Sequence, residues 1–127
     1  MEAVVIVTVL ALAQYMYFGV LVGGARGKYG VKAPATSGDQ QFECVNRVHG
    51  NTLEQLVVLI PALWMYAHFV NPLWGAGMGV VYLIGRFIYC SAYTKDPSTR
   101  TLGFMLSYLP GVVMSAWVLV VAAMSYL

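Results

Sequence analysis

Charge is scarce in this chain. Lys, Arg, Asp and Glu make up 9% of its 127 residues, against roughly 25% in an ordinary soluble domain. A water-soluble fold must coat itself with such side chains, and seven basic plus five acidic residues cannot do so at this length. Cysteine is equally sparse. Cys44 and Cys90 form no Cys-x-x-Cys pair, and with only His49 and His68 beside them they make no metal-ligand cluster. Both read as free thiols in a reducing compartment, and no metal is expected. No stripe of Lys and Arg exists to follow a phosphate backbone, and a net charge of +2 is too small to suggest one. Nucleic acid is therefore not an expected partner. A cleaved signal peptide is not expected either, because the first apolar run opens on Glu2 rather than on basic residues and is too long.

What fills the chain instead is apolar, at 60%. Three stretches, 3–25, 55–85 and 101–127, hold no Asp, Glu, Lys or Arg. Each exceeds the about 20 residues that a bilayer-crossing helix needs. As a helix, the middle stretch would run about 46 Å, which is longer than a hydrocarbon core of about 30 Å. It must fold back, and Asn71-Pro72, followed by Gly75, Gly77 and Gly79, is the credible break. The expected class is an all-α integral membrane protein, a single domain of four transmembrane helices at about 3–23, 43–70, 73–94 and 99–126. Residues 25–41 have loop composition, and Ser98 has the chemistry of a helix cap ahead of the fourth span. Pro61 and Pro110-Gly111 are expected to bend their helices, and Gly19-x-x-x-Gly23 and Gly75-x-x-x-Gly79 have the spacing of close helix contacts.

The loops set the orientation. Arg26, Lys28, Lys32 and Arg47 fall between spans one and two, Lys95 and Arg100 between spans three and four, and the opposite side offers no basic side chain. The bias of basic loops toward the cytoplasm places that side inside the cell. Trp64, Trp74 and Tyr126 then fit an aromatic belt at the outer interface.

Ionisable groups in or against a bilayer cost several kcal/mol unless they are paired or face a wet cavity, so they mark function by default. Arg47, Asn51 and Glu54 stand at i, i+4 and i+7 along one helical stripe, and Arg86, Tyr89 and Tyr93 at i, i+3 and i+7 along another. Both stripes lie at the cytoplasmic ends of their helices, and Arg100 opens the fourth helix at the same level. Arginines take carboxylates in a bidentate fork, Glu54 suits an ammonium, and Asn51 and the tyrosines give directional hydrogen bonds. The complement is a small zwitterion with more than one carboxylate, approached from the cytosol, with an apolar second substrate entering from the lipid. The same residues also admit a purely structural reading, in which Glu54 neutralises Arg47 or Arg86 and locks the second helix to the third.

Residues Arg47-Val48-His49-Gly50-Asn51-Thr52-Leu53-Glu54 resemble the R-x-H-x-N-x-(L/M)-E signature of the membrane-associated proteins in eicosanoid and glutathione metabolism. Phe42-Glu43, Gly85-Arg86 with Tyr89 and Tyr93, and Arg100-Thr101 with Leu109-Pro110 are similar to further landmarks of that family, in order. The resemblance spans about residues 25–111; the first span matches in hydropathy alone. It implies a homotrimer of four-helix subunits that binds glutathione between neighbours on the cytosolic side. It further implies that Arg47, Asn51, Glu54, Tyr89 and Tyr93 contact glutathione, with Arg86 and His49 in the same set. Arg26 would hold a terminal carboxylate, and Arg100 would activate the thiol. The implied activity is that of a glutathione transferase or peroxidase acting on hydrophobic electrophiles or lipid hydroperoxides. The implied location is the inner membrane of a bacterium or the endoplasmic reticulum of a eukaryote.

Departures from the family pattern bear on the product. Where some members carry two arginines after the first span, this chain has Arg26-Gly27, and Gln55 stands where the eicosanoid branch has tyrosine. These mixed features assign no particular eicosanoid. Two other classes remain open. One is a non-catalytic lipid-binding scaffold resembling 5-lipoxygenase-activating protein, a branch that lacks much of the arginine set. The other is a small multidrug exporter, which would need a glutamate near the middle of the first span, where this chain has none.

Overall fold

A computed structural model describes the backbone of residues 1–127 and every side chain except that of Pro97. The chain is all-helical. Helix α1 spans Glu2–Tyr29, α2 Gln40–Phe69, α3 Pro72–Lys95 and α4 Thr101–Tyr126, with a short 3-10 turn at Pro97–Thr99 before α4. All four long helices are long and apolar enough to cross a membrane. Their outward side chains match that solvent, since Val20, Leu73 and Leu119 stand exposed while Arg86 is fully buried.

Helices α2 and α3 form the central pair, each packed against every other helix, with α1 and α4 laid on either side. Cross-contacts fix which ends meet. At one end the Trp64 indole N–H donates to Thr8 Oγ1 at 3.0 Å, and Tyr66 and Trp117 meet edge to face at 5.9 Å. At the other end α2, α3 and α4 share the polar groups described below. The main core lies between, built from Val4, Val7, Ala11, Leu59, Leu63, Tyr66, Tyr82 and Met114.

Helix boundaries differ from the apolar runs for local reasons. Helix α1 continues through Gly23-Gly24 as far as Tyr29 and stops at Gly30, which adopts φ 71°, ψ 28°, a left-handed conformation that glycine takes without strain. Two glycines would ordinarily weaken a helix there. Val22 and Ala25, however, bury against Val31 and Phe42, and Arg26 and Lys28 in the last turn suit the negative end of the helix. Helix α2 begins early because Asp39 accepts the Phe42 backbone N–H at 3.0 Å. The break at Asn71-Pro72 lies where the sequence puts it: Asn71 Oδ1 accepts from the backbone of Leu73 and Trp74 at 2.9 and 3.1 Å, and proline opens α3.

Ser98 does not cap α4. Its N–H and hydroxyl both donate to Asp96 Oδ1, at 3.1 and 2.8 Å, and α4 starts at Thr101 with Arg100 in the cap position. An aspartate two residues upstream competes better for those donors than the next helix does. The glycine pairs also divide. Gly75 sits against Leu63 and Tyr66, and Gly79 against Val7, whereas Gly23 has nothing within 4 Å of where a Cβ would stand.

Candidate functional site

The end of the bundle that carries the long loop is where the arginines collect. On α2 the helical repeat brings Arg47, Asn51 and Glu54 onto one stripe. Arg47 Nη1 lies 3.1 Å from Glu54 Oε1, and Asn51 Nδ2 donates to the same oxygen at 3.3 Å. The ion pair is within one helix, and more than half of each side chain is exposed. It therefore does not lock α2 to α3, and in water such a pair stabilises by only about 0–1 kcal/mol.

The lock is Arg86. Its guanidinium donates to Asn51 Oδ1 at 3.0 Å and to Thr52 Oγ1 at 2.9 Å on α2, and to Ser107 Oγ at 3.1 Å on α4. The guanidinium carbon also lies 4.4 Å from the centre of the Tyr89 ring. Close backbone approach makes this possible. A Cβ on Gly85 would fall 2.7 Å from Ser107 N, and one on Gly103 would strike the Tyr89 backbone. Glycine at both positions lets α3 and α4 touch main chain to main chain, which brings Ser107 within reach of Arg86.

Above this floor opens a cleft of about 410 Å³, walled by Arg47 and Asn51 from α2, Tyr89 and Tyr93 from α3, and Arg100, Thr101 and Phe104 from α4. That volume is in the range of small-molecule sites, roughly 300–1,000 Å³. The tyrosine rings stack at 5.3 Å, and the Arg100 guanidinium carbon lies 5.8 Å from the Tyr93 ring centre. The wall thus sets the Arg47 and Arg100 guanidinium groups beside two phenols and a carboxamide at the edge of an apolar bundle, with Arg86 in the floor and Glu54 bonded to Arg47 and Asn51.

The structure gathers five of the nine residues the sequence singles out onto this wall, places Glu54 in hydrogen-bonded contact with two of them, and sets Arg86 behind it. His49 and Arg26 lie elsewhere in a single chain. The His49 ring stacks on Tyr15 of α1, centres 4.5 Å apart. Arg26 donates to the carbonyls of Val31 at 3.4 Å and Ala35 at 2.7 Å and lies over the Phe42 ring, so it ties down the α1–α2 loop. Thr52, Ser107 and Gly103 are not among the residues that composition and spacing mark out. The signal was available in Gly103-x-x-x-Ser107-x-x-x-Gly111, a stripe of small residues at helical spacing.

Four long apolar helices, with a cleft lined by Arg47 and Arg100 at one end of the bundle, define an integral membrane protein. The MAPEG family model matches residues 4–120, and the chain belongs to that family, the membrane-associated proteins in eicosanoid and glutathione metabolism. It is 38% identical to microsomal glutathione S-transferase 2 of Homo sapiens over 101 residues, covering 80% of this chain and 69% of that protein. Leukotriene C4 synthase of Rattus norvegicus is 28% identical over 128 residues, covering 87% and 85%. An uncharacterized protein of Synechocystis sp. is 42% identical over 119 residues, covering 94% and 83%.

Proposed function

We propose that this chain binds glutathione in the cleft and uses its sulfur against apolar electrophiles or lipid hydroperoxides, at the cytoplasmic face of the membrane. The observation that carries the reading is the lining of the cleft, which brings the Arg47 and Arg100 guanidinium groups together with the Tyr89 and Tyr93 phenols and the Asn51 carboxamide, with Glu54 held beside them by Arg47 and Asn51. Glutathione in its thiolate form has two carboxylates and a sulfur anion for these donors, and one ammonium for the Glu54 carboxylate. The names of the relatives, glutathione transferases among them, support the same co-substrate.

In this reading Arg47 and the Tyr89 and Tyr93 phenols hold carboxylates. Glu54, whose Oε1 is already shared by Arg47 and Asn51, takes the ammonium on its other oxygen. Arg100 lies against the sulfur. A free thiol near pKa 8.5 is only a few per cent thiolate at neutral pH, and a desolvated guanidinium lowers that value by about 2 units. The thiolate then attacks a carbon that carries a leaving group, forming the C–S bond as the leaving group departs. The apolar partner arrives through the bilayer, which concentrates it beside Phe104. The exposure of the Arg47–Glu54 pair on one chain supports a homotrimer, since a neighbouring subunit would shield those charges from lipid.

The test is a glutathione titration of detergent-purified protein read by thiolate absorbance, followed by turnover with an aryl halide and with a lipid hydroperoxide. A saturable thiolate signal with turnover on either substrate is expected. Binding without turnover would favour the lipid-binding scaffold, and no binding would end the reading. Glu54→Gln is expected to weaken glutathione by about tenfold, the scale of one charge-assisted contact. A glutathione analogue without its amino group should bind Glu54→Gln and the unaltered protein alike, and unequal binding of that analogue would remove Glu54 from the ammonium.

A further inference from the structure

Arg86 is fully buried, yet none of its three acceptors is a carboxylate. Two are hydroxyls whose own protons are committed elsewhere. Thr52 donates to the Val48 carbonyl at 2.7 Å, and Ser107 to the Gly103 carbonyl at 2.9 Å. The third is Asn51, which stands between Arg86 and Glu54. A guanidinium only donates and a carboxylate only accepts, so this carboxamide has one permitted orientation. Its Oδ1 faces Arg86 at 3.0 Å and its Nδ2 faces Glu54 at 3.3 Å. Turned over, it would set donor against donor on one side and acceptor against acceptor on the other. Asn51 lines the cleft, whereas Arg86 does not.

We propose that Arg86 is a positioning residue of the cleft: without touching the tripeptide, it fixes the Asn51 carboxamide with its N–H face outward. The wall then selects a ligand that offers a carboxylate or peptide carbonyl oxygen at that place. The inference rests on the reading that the cleft holds glutathione. Arginine suits the role because its planar fork reaches acceptors on α2 and α4 together, which a lysine ammonium on its single stem cannot do. The Tyr89 ring against the guanidinium completes its seclusion. Neither amide orientation nor wall selectivity would survive if the guanidinium were free to turn toward the ligand.

The experiment compares four variants of the full chain in lipid nanodiscs: Arg86→Lys, Asn51→Asp, Thr52→Val and Ser107→Ala. Glutathione KM and kcat are measured with an aryl halide, together with the thermal midpoint. Arg86→Lys is expected to raise the glutathione KM about tenfold at unchanged kcat, the pattern of lost ground-state binding. Asn51→Asp keeps an acceptor for Arg86 but presents oxygen to the cleft, and should raise KM at least as far. Thr52→Val and Ser107→Ala remove anchors of Arg86 and leave its Asn51 contact, so they should lower the midpoint and keep the wild-type KM. A wild-type KM in folded Arg86→Lys or in Asn51→Asp would overturn the proposal. So would a fall in kcat at constant KM, which would put the guanidinium on the sulfur. Should Arg86→Lys not fold, a wild-type KM in Asn51→Asp still overturns the proposal. Absence of saturable glutathione binding in the unaltered protein is a separate failure, that of the function itself.

Discussion

Arg100→Ala is expected to bind glutathione nearly as well as the unaltered protein and to lose the thiolate absorbance at neutral pH. In the proposed binding mode the groups that hold the tripeptide come mainly from the α2 and α3 wall of the cleft, so removing a group on α4 leaves them standing. What disappears is the cation beside the sulfur. Raising the bound thiol by about 2 units, or about 2.7 kcal/mol of differential stabilisation, cuts the thiolate from most of the bound population to a few per cent. The sign is definite. A thiol lowered by Arg100 is already ionised near neutrality, so the unaltered protein keeps its rate down to slightly acidic pH. The variant should recover rate only as pH climbs through the ordinary thiol range. A pH–rate profile with the absorbance titration reads both, and equal thiolate yield in the two proteins would remove Arg100 from that role.

Gly103→Ala is expected to damage both the bundle and the cleft. A methyl group at this position meets the backbone N and Cα of Tyr89, and the Gly85 carbonyl at 2.9 Å. All of these are main-chain atoms, so no rotamer change relieves the clash and the two helices must separate. Overpacking of this kind costs roughly 1–3 kcal/mol and sometimes more. The separation would also shift Tyr89 and draw Ser107 away from Arg86. Gly77→Ala on the same α3 helix is the control, since nothing lies within 4 Å of its added Cβ and helix propensity alone favours alanine. Thermal unfolding in detergent should show a large fall for Gly103→Ala and none for Gly77→Ala. Parallel behaviour of the two would mean that the α3–α4 approach is not tight.

Much of this arrangement is legible in the chain itself, because a bilayer leaves so few choices. Runs without charge give four helices, Asn71-Pro72 gives the one break that length demands, and the spacing of Arg47, Asn51 and Glu54 gives a shared stripe that the structure ties together through Glu54 Oε1. At about 100° per residue, the same helical wheel turns His49 about 200° away from Arg47, toward α1 and Tyr15. Spacing thus argues for His49 facing away even though the motif includes it. Other features depend on partners that spacing does not name. Nothing local reveals that Arg86 finds hydroxyls rather than Glu54, since that follows from two glycines letting α4 close in. The true end of α1 is hidden for a similar reason: Gly23-Gly24 reads as a stop until Phe42 arrives to cover Val22 and Ala25.

The staple at Arg86 also bears on how the molecule is assembled during synthesis. Its acceptors come from the helix made before its own and from the helix made after it. A nascent chain halted after Lys95 would hold that guanidinium against Asn51 and Thr52 alone, with Ser107 and the covering face of α4 still unmade, and an ionisable group in a bilayer is costly until it is fully enclosed. The third segment therefore reaches its final seating only when the fourth arrives to close over the guanidinium.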